Sequence, residues 1–153
     1  MTDRKELNIT RVFDAPRELV FKTWTDPKYV AQWWGPKDFT NPVCELDARP
    51  DGAIRIDMTG PDGTVYPMGG TFHEIAEPER LVFTSSAIKD EKGNPLLEVR
   101  NTITFAVHNS RTKLTLQASV VKSAPETARA LDGMDEGWRQ SLDRLEELLD
   151  KET

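Results

Sequence analysis

Residues 134–151, MDEGWRQSLDRLEELLDK, give the clearest indication of the fold. The spacing of its apolar residues places them on a single face of an α-helix. Charged residues such as Asp143 and Arg144 fall on the opposite, solvated face. The sequence therefore predicts a long amphipathic C-terminal helix whose apolar stripe packs against the rest of the protein. The stripe comprises residues that recur at intervals of three and four: Leu131, Met134, Trp138, Leu142, Leu145 and Leu149.

The start of this helix carries two further signals. Residues 123–126, SAPE, fit a capping box in which Ser123 and Glu126 satisfy free backbone N–H groups. Gly133 and Gly137 are unusual inside a helix, because each costs about 1 kcal/mol relative to alanine. They indicate either a close approach of the helix to the neighbouring layer or a break near residue 133.

Most of the chain before residue 123 has the pattern of β-strands. Apolar and polar residues alternate in residues 7–14, and again in short stretches between residues 43 and 122. Sequences rich in proline, aspartate and glycine separate these stretches, as they do in tight turns. Short strands joined by tight turns predict a meandering antiparallel sheet.

Residues 16–34 differ, because their apolar residues follow helical spacing. Asp26 and Pro27 interrupt this pattern as the cap and first residue of a new helix, and Gly35 ends it. The predicted fold class is therefore α+β. We expect a curved antiparallel sheet of about seven strands around the C-terminal helix, with two short helices after the first strand, in one domain over residues 1–153.

Composition and charge exclude several classes of partner. The net charge is −6 and the pI is near 5.0, so the surface repels phosphates; this argues against nucleic acid and against an anionic membrane as partners. Residues 1–6 are polar, and no apolar run approaches the length of a membrane span. These features predict a cytoplasmic protein without a signal peptide.

The residues that commonly carry chemistry are few and scattered. Cys44 is the single cysteine and is predicted to be a small buried apolar residue. His73 and His108 are predicted to face solvent, and no clustered set of metal ligands occurs. The sequence therefore predicts no metal, no cofactor and no catalytic residue.

Five motifs resemble one known family. The chain resembles the START and birch-pollen-allergen (SRPBCC) superfamily, in the branch similar to the C-terminal domain of the activator of heat-shock-protein-90 ATPase. The resemblance runs from about residue 7 to residue 149 and implies the helix-grip fold, in which a curved sheet wraps around the C-terminal helix. The motifs are APRELVF at residues 15–21, WTDP at 24–27, QWWGP at 32–36, EPERLVFT at 77–84 and EGWRQSLDRL at 136–145.

The resemblance also implies a cavity, which the residues alone leave open. Flexible Met58 and Met68, and the isolated polar residues Ser85 and Asn101 on apolar strands, are equally compatible with a filled core. One of Trp33 and Trp34 is predicted to pack in the core and the other at the pocket mouth. The candidate ligand-binding residues are Trp34, Phe39, Met58, Met68, Phe72, Phe83, Ser85, Asn101, Ile103, Met134, Trp138 and Leu142.

Three functions are compatible with such a fold. The leading hypothesis is non-enzymatic binding of a small hydrophobic or aromatic molecule by a monomer or homodimer, in a stress- or resistance-related role. The second is a cyclase- or hydrolase-like enzyme, which would need His73, Glu98 or Arg100 to point into the cavity. The third is a chaperone-linked interaction module, which would need an exposed apolar patch outside the sheet or around Trp33. Chaperone activators carry a further N-terminal domain, whereas only a short segment precedes the first strand here, and this disfavours the third.

Overall fold

The computed structural model describes residues 6–152. The polar residues 1–5, on which much of the signal-peptide prediction rests, lie outside this range. The strands and helices are β1 (Glu6–Phe13), α1 (Arg17–Thr25), α2 (Pro27–Trp33), β2 (Thr40–Leu46), β3 (Ala53–Thr59), β4 (Val65–Ala76), β5 (Arg80–Lys89), β6 (Pro95–His108), β7 (Arg111–Lys122), α3 (Ala128–Asp132) and α4 (Met134–Glu152).

All seven strands form one antiparallel sheet in the order β1-β7-β6-β5-β4-β3-β2. Strands β2 to β7 follow one another as a meander, and β1 pairs with β7 at the far edge. The two short helices therefore carry the chain from one edge strand to the other. This arrangement is the predicted helix-grip fold, and the α+β prediction is confirmed.

The two short helices begin and end within one residue of the predicted bounds, 16 and 34, and they meet at Asp26 as predicted. The Asp26 side chain accepts a hydrogen bond from the Lys28 N–H at 3.0 Å, and Pro27 occupies the first turn of α2. Trp33, at the end of α2, is fully buried, and its indole N–H donates to the Thr23 carbonyl at 2.8 Å. Trp33 is therefore the core tryptophan, and Trp34 is left partly exposed.

The chain between β7 and α4 differs from the predicted continuous helix. Ser123 and Glu126 do not form the capping box; instead the Thr127 hydroxyl accepts from the Ala124 N–H at 3.1 Å and donates to the Ala124 carbonyl at 2.7 Å. A short 3-10 turn at Pro125–Thr127 leads into α3, and Gly133 separates α3 from α4. The second interpretation of the glycines, a break near residue 133, is therefore the one observed.

The apolar stripe of α4 is buried as predicted in its C-terminal part. Leu142 and Leu145 are fully buried and Leu149 is 1% exposed. These residues belong to one continuous core with the inner faces of the strands and with α1 and α2. Within residues 6–152, no helix is long and apolar enough to cross a membrane.

Candidate functional site

An apolar cavity of about 410 Å³ opens between the sheet and the N-terminal half of α4. The ends of β3 and β5 and the starts of β4 and β6 form one wall, and α3, α4 and the segment after α2 form the other. Four hydroxyl-bearing residues interrupt an otherwise apolar lining. The lining residues are Trp34, Gly35, Pro36, Met58, Val65, Tyr66, Pro67, Met68, Ser85, Ser86, Ala87, Ile88, Leu97, Val99, Ala130, Met134, Gly137, Trp138 and Ser141.

Aromatic rings shape the inner end of this cavity. Trp34 and Trp138 meet edge to face, with ring centroids 5.4 Å apart. Behind them, Trp24 stacks on Trp138 at 5.9 Å with an angle of 20° between the rings. Trp24 is only 3% exposed, so it supports the cavity wall from the core. Its role in the cavity wall was not predicted, although Trp24 lies in residues 16–34, whose apolar residues follow helical spacing.

The structure brings part of the predicted lining together and leaves the rest elsewhere. Phe72 and Phe83 line a separate inner void of about 20 Å³. Ile103, Asn101 and Leu142 are fully buried and do not belong to the wall of the large cavity. Phe39 lies outside that wall, and its ring packs on Tyr66 at 5.8 Å. The predicted residues that do line the large cavity are Trp34, Met58, Met68, Ser85, Met134 and Trp138.

The mouth of the cavity includes residues that the sequence reasoning missed. Three large apolar side chains at the rim are exposed to solvent: Val65 by 52%, Tyr66 by 47% and Ile88 by 38%. Ile88 has a φ of 55°, a conformation that is strained for a β-branched residue and that interrupts the regular alternation of β5. No sequence signal pointed to them: periodicity does not distinguish a cavity rim from open surface at Val65 and Tyr66, which start β4, and Ile88 interrupts the alternation of β5.

A polar pair lies beside the cavity. The Asn101 amide nitrogen is 3.1 Å from the Ser85 hydroxyl, 3.3 Å from the Val99 carbonyl and 3.4 Å from the Phe83 carbonyl. Asn101 is fully buried, whereas Ser85 is partly exposed and lines the cavity. Asn101 therefore positions Ser85, and Ser85 is the member of the pair that a ligand can reach.

Arg144 holds one rim of the cavity in place. Its guanidinium donates to the Trp34, Gly35 and Pro36 carbonyls at 2.9, 3.0 and 3.0 Å, and to the Gln32 carbonyl at 3.0 Å. Partial burial lowers the pKa of Arg144, and nearby acids oppose that effect. The prediction that Arg144 lies on a solvated face is therefore wrong, because its side chain turns back to cap the C-terminus of α2.

Two neighbouring contacts support the same segment. The Asn41 side chain donates to the Ala31 and Trp34 carbonyls at 3.1 and 2.8 Å. The Gln140 side chain accepts from the Lys37 N–H at 3.0 Å. Polar groups from β2 and α4 thus fix the backbone that presents Trp34 to the cavity.

The groups proposed for chemistry lie away from the cavity. His73 is exposed and hydrogen-bonded to Thr84, and His73, Glu98 and Arg100 are absent from the cavity wall. Cys44 is partly buried, and burial raises the pKa of its thiol to about 11, so the nucleophilic thiolate is scarce at neutral pH. Within residues 6–152, no three potential metal ligands cluster.

Comparison with known proteins places this geometry in a family. The chain is similar to solved structures of proteins from Mycobacterium smegmatis (31% identity, covering 97% of this chain and 96% of that chain, TM-score 0.79) and Arthrobacter aurescens (28%, 95% and 86%, 0.82). A protein from Nitrosomonas europaea is also similar (27%, 96% and 95%, 0.79). No functionally curated protein matches significantly. Residues 14–150 match the family model described as activator of Hsp90 ATPase homolog 1-like protein, and the chain belongs to that family.

Proposed function

We propose that this protein binds a small, neutral hydrophobic or aromatic molecule in the cavity between the sheet and α4. The observation that carries the proposal is the apolar cavity of about 410 Å³ with Trp34 and Trp138 in its wall. Binding sites for small molecules have volumes of roughly 300–1,000 Å³ and are mostly apolar, with a few polar groups. A stress- or resistance-related role would then consist of sequestering such a molecule.

The contrast with ordinary packing supports an occupied cavity. Protein interiors are close-packed, and voids larger than a water molecule are few. The core behind Trp24 follows that rule, since its remaining void is only about 20 Å³. Burial of the ligand would contribute about 25 cal/mol per Å² of apolar surface before the costs of association.

The cavity wall favours binding over reaction. A general acid or base must lie within hydrogen-bond reach of the reacting atom. The only ionisable side chain among the lining residues is the phenol of Tyr66, at the exposed mouth. An interaction module that uses an exposed apolar patch around Trp33 is also disfavoured, because Trp33 is fully buried.

Titration with N-phenyl-1-naphthylamine, a neutral dye that fluoresces in apolar surroundings, tests the proposal. We expect saturable one-to-one binding with a Kd in the micromolar range, or about −8 kcal/mol. Ala87→Phe places a ring in the cavity and should weaken binding at least about tenfold. The matched control is Ala106→Phe, since Ala106 is exposed on β6 and outside the cavity; it should bind as the wild type does.

Trp138→Ala provides a second test of the same wall. It removes an aromatic ring that contacts both Trp24 and Trp34, and we expect clearly weaker dye binding by a protein that still folds. Wild-type protein that does not bind the dye, or Ala87→Phe and Trp138→Ala proteins that bind it normally, would refute the proposal. Native mass spectrometry of protein purified from its own cells would then identify any retained molecule.

A further inference from the structure

The direction of the hydrogen bond between Asn101 and Ser85 determines what Ser85 can offer a ligand. The Asn101 atom that faces Ser85 also faces the Val99 and Phe83 carbonyls, at 3.3 and 3.4 Å. Carbonyl oxygens only accept hydrogen bonds, so this atom is the donating NH₂ group and not the amide oxygen. At 3.1 Å, the Ser85 oxygen therefore accepts a hydrogen bond from Asn101.

The hydroxyl hydrogen of Ser85 remains to be satisfied. A serine hydroxyl has one hydrogen to donate, and the contact with Asn101 uses only a lone pair. Within residues 6–152, no protein group accepts this hydrogen. The nearby amide oxygen of Asn101 has no hydrogen-bond partner, so it does not accept from Ser85 either. Ser85 therefore presents to the apolar cavity a donor that no protein group in this range uses.

The sheet leaves this hydroxyl accessible from the cavity. Ser85 pairs with Gly70 on β4, and Gly70 has no side chain to cover it. A Cβ atom on Gly70 would lie 2.0 Å from the Thr84 carbonyl oxygen, so the tight strand approach excludes a larger residue there. Ser85 lines the cavity directly.

The other hydroxyls of the wall offer less. The Ser141 hydroxyl already donates to the Gly137 carbonyl at 3.0 Å. Ser86 neighbours Ser85 in β5, and strand alternation directs its side chain to the opposite face. Tyr66 is 47% exposed, so it lies at the solvent-facing mouth and not in the interior of the cavity. Ser85 is thus the inward-facing hydroxyl of the cavity wall whose hydrogen no described protein group takes.

We infer that the cavity selects neutral ligands that carry a hydrogen-bond acceptor, such as a carbonyl or ether oxygen, and that this acceptor takes the hydrogen of Ser85. Asn101 acts as a positioning residue, because its NH₂ group occupies a lone pair of Ser85 and leaves the hydrogen for the ligand. This inference rests on the proposed ligand-binding function. It specifies the class of ligand: an apolar or aromatic body with an uncharged acceptor.

A matched pair of competitors tests this inference. Fluorene and 9-fluorenone have nearly the same shape, but only 9-fluorenone carries a carbonyl oxygen. Each is used to displace N-phenyl-1-naphthylamine from the wild type, from Ser85→Ala and from Ser141→Ala. We expect Ser85→Ala to weaken 9-fluorenone binding about fivefold, the effect of one neutral hydrogen bond, and to leave fluorene binding within about twofold. Ser141→Ala, the control, should leave the ratio of the two affinities unchanged.

The outcomes separate this inference from the proposed function. If the wild type binds the dye and both competitors, but Ser85→Ala affects them equally or not at all, selection by Ser85 is refuted and ligand binding stands. A ratio that changes as much in Ser141→Ala as in Ser85→Ala also refutes it. If the wild type binds neither the dye nor the competitors, the proposed function itself fails.

Discussion

The two halves of α4 have the same amphipathic pattern but different surroundings. Leu142, Leu145 and Leu149 in the second half are 1% exposed or less and belong to the closed core. Met134 and Trp138 in the first half are partly exposed and line the cavity. The change occurs between Ser141 and Leu142. The comparison shows that one helix face can form both a closed core and the wall of an open cavity, depending on what the sheet places opposite it.

The largest expected contrast is in stability. Leu145→Ala removes a fully buried side chain and should lower the free energy of unfolding by about 3 kcal/mol. Met134→Ala removes a partly exposed side chain from the cavity wall and should cost less than about 1 kcal/mol. Urea unfolding of both variants measures the difference; equal losses would mean that the two halves are equally packed.

Arg144 lies in the second half of α4 and holds the rim of the cavity that the first half lines. Arg144→Met keeps much of the apolar stem but leaves the carbonyls of residues 32 and 34–36 without their guanidinium donor. We expect a loss of about 2 kcal/mol, the effect of hydrogen bonds to a charged group, together with weaker dye binding. The control is Asp143→Asn, which weakens an exposed ion pair with Arg11 and should cost less than about 1 kcal/mol. Similar losses in the two variants would contradict the role assigned to Arg144.

Hydrogen exchange compares the mobility of the two halves directly. Helix α3 contains no buried residue, and Gly133 separates it from α4. Amides in α3 and the first turn of α4 should exchange at least about tenfold faster than those of residues 142–149. If these turns gate the cavity, saturating dye should slow their exchange and leave the second half unchanged. Uniform protection along α4 would contradict this gating.

Gly137→Ala is expected to have the smallest effect, and in the opposite direction. A Cβ atom at Gly137 would meet no atom within 4 Å, because it points into open space. The substitution should stabilise the protein by about 0.5–1 kcal/mol, since alanine restricts the unfolded chain and favours the helix. Gly35→Ala is the control: Gly35 has a φ of 93°, and a Cβ there would lie 2.9 Å from the Met58 sulfur, so this variant should be destabilised. Thermal unfolding measures both.

The fold was predictable because its signals are periodic and local. Alternating residues identified the strands, three-and-four spacing identified α4, and Asp26, Pro27 and Gly35 marked the bounds of the short helices. The prediction of the capping box at residues 123–126 failed, because a second capping arrangement competes with it one residue later. Ala124 replaced Ser123 at the N-cap and Thr127 took the role predicted for Glu126, because the chain forms a 3-10 turn at Pro125 before α3 begins.

The cavity wall was predictable only in part. Periodicity identifies inward-facing positions, so it correctly assigned Met68, Ser85 and Trp138 to the inner surface together with Ile103 and Leu142. Periodicity does not show whether an inward-facing residue lies in the closed core or in the wall of the open cavity. The strained backbone of Ile88 and the folded-back side chain of Arg144 carry no periodic signal at all.

Local backbone preferences and the period of apolar residues were enough to predict the order of the strands along the chain, the helices and the apolar face of α4. Tertiary contacts were needed to place Trp33 in the core and Trp34 in the cavity wall, to assign Leu142 to the core, and to bring the Asn101 amide within 3.1 Å of the Ser85 hydroxyl. Those outcomes depend on which groups meet across distant segments. Packing distances and hydrogen-bond partners decide them, and the sequence of one segment does not contain this information.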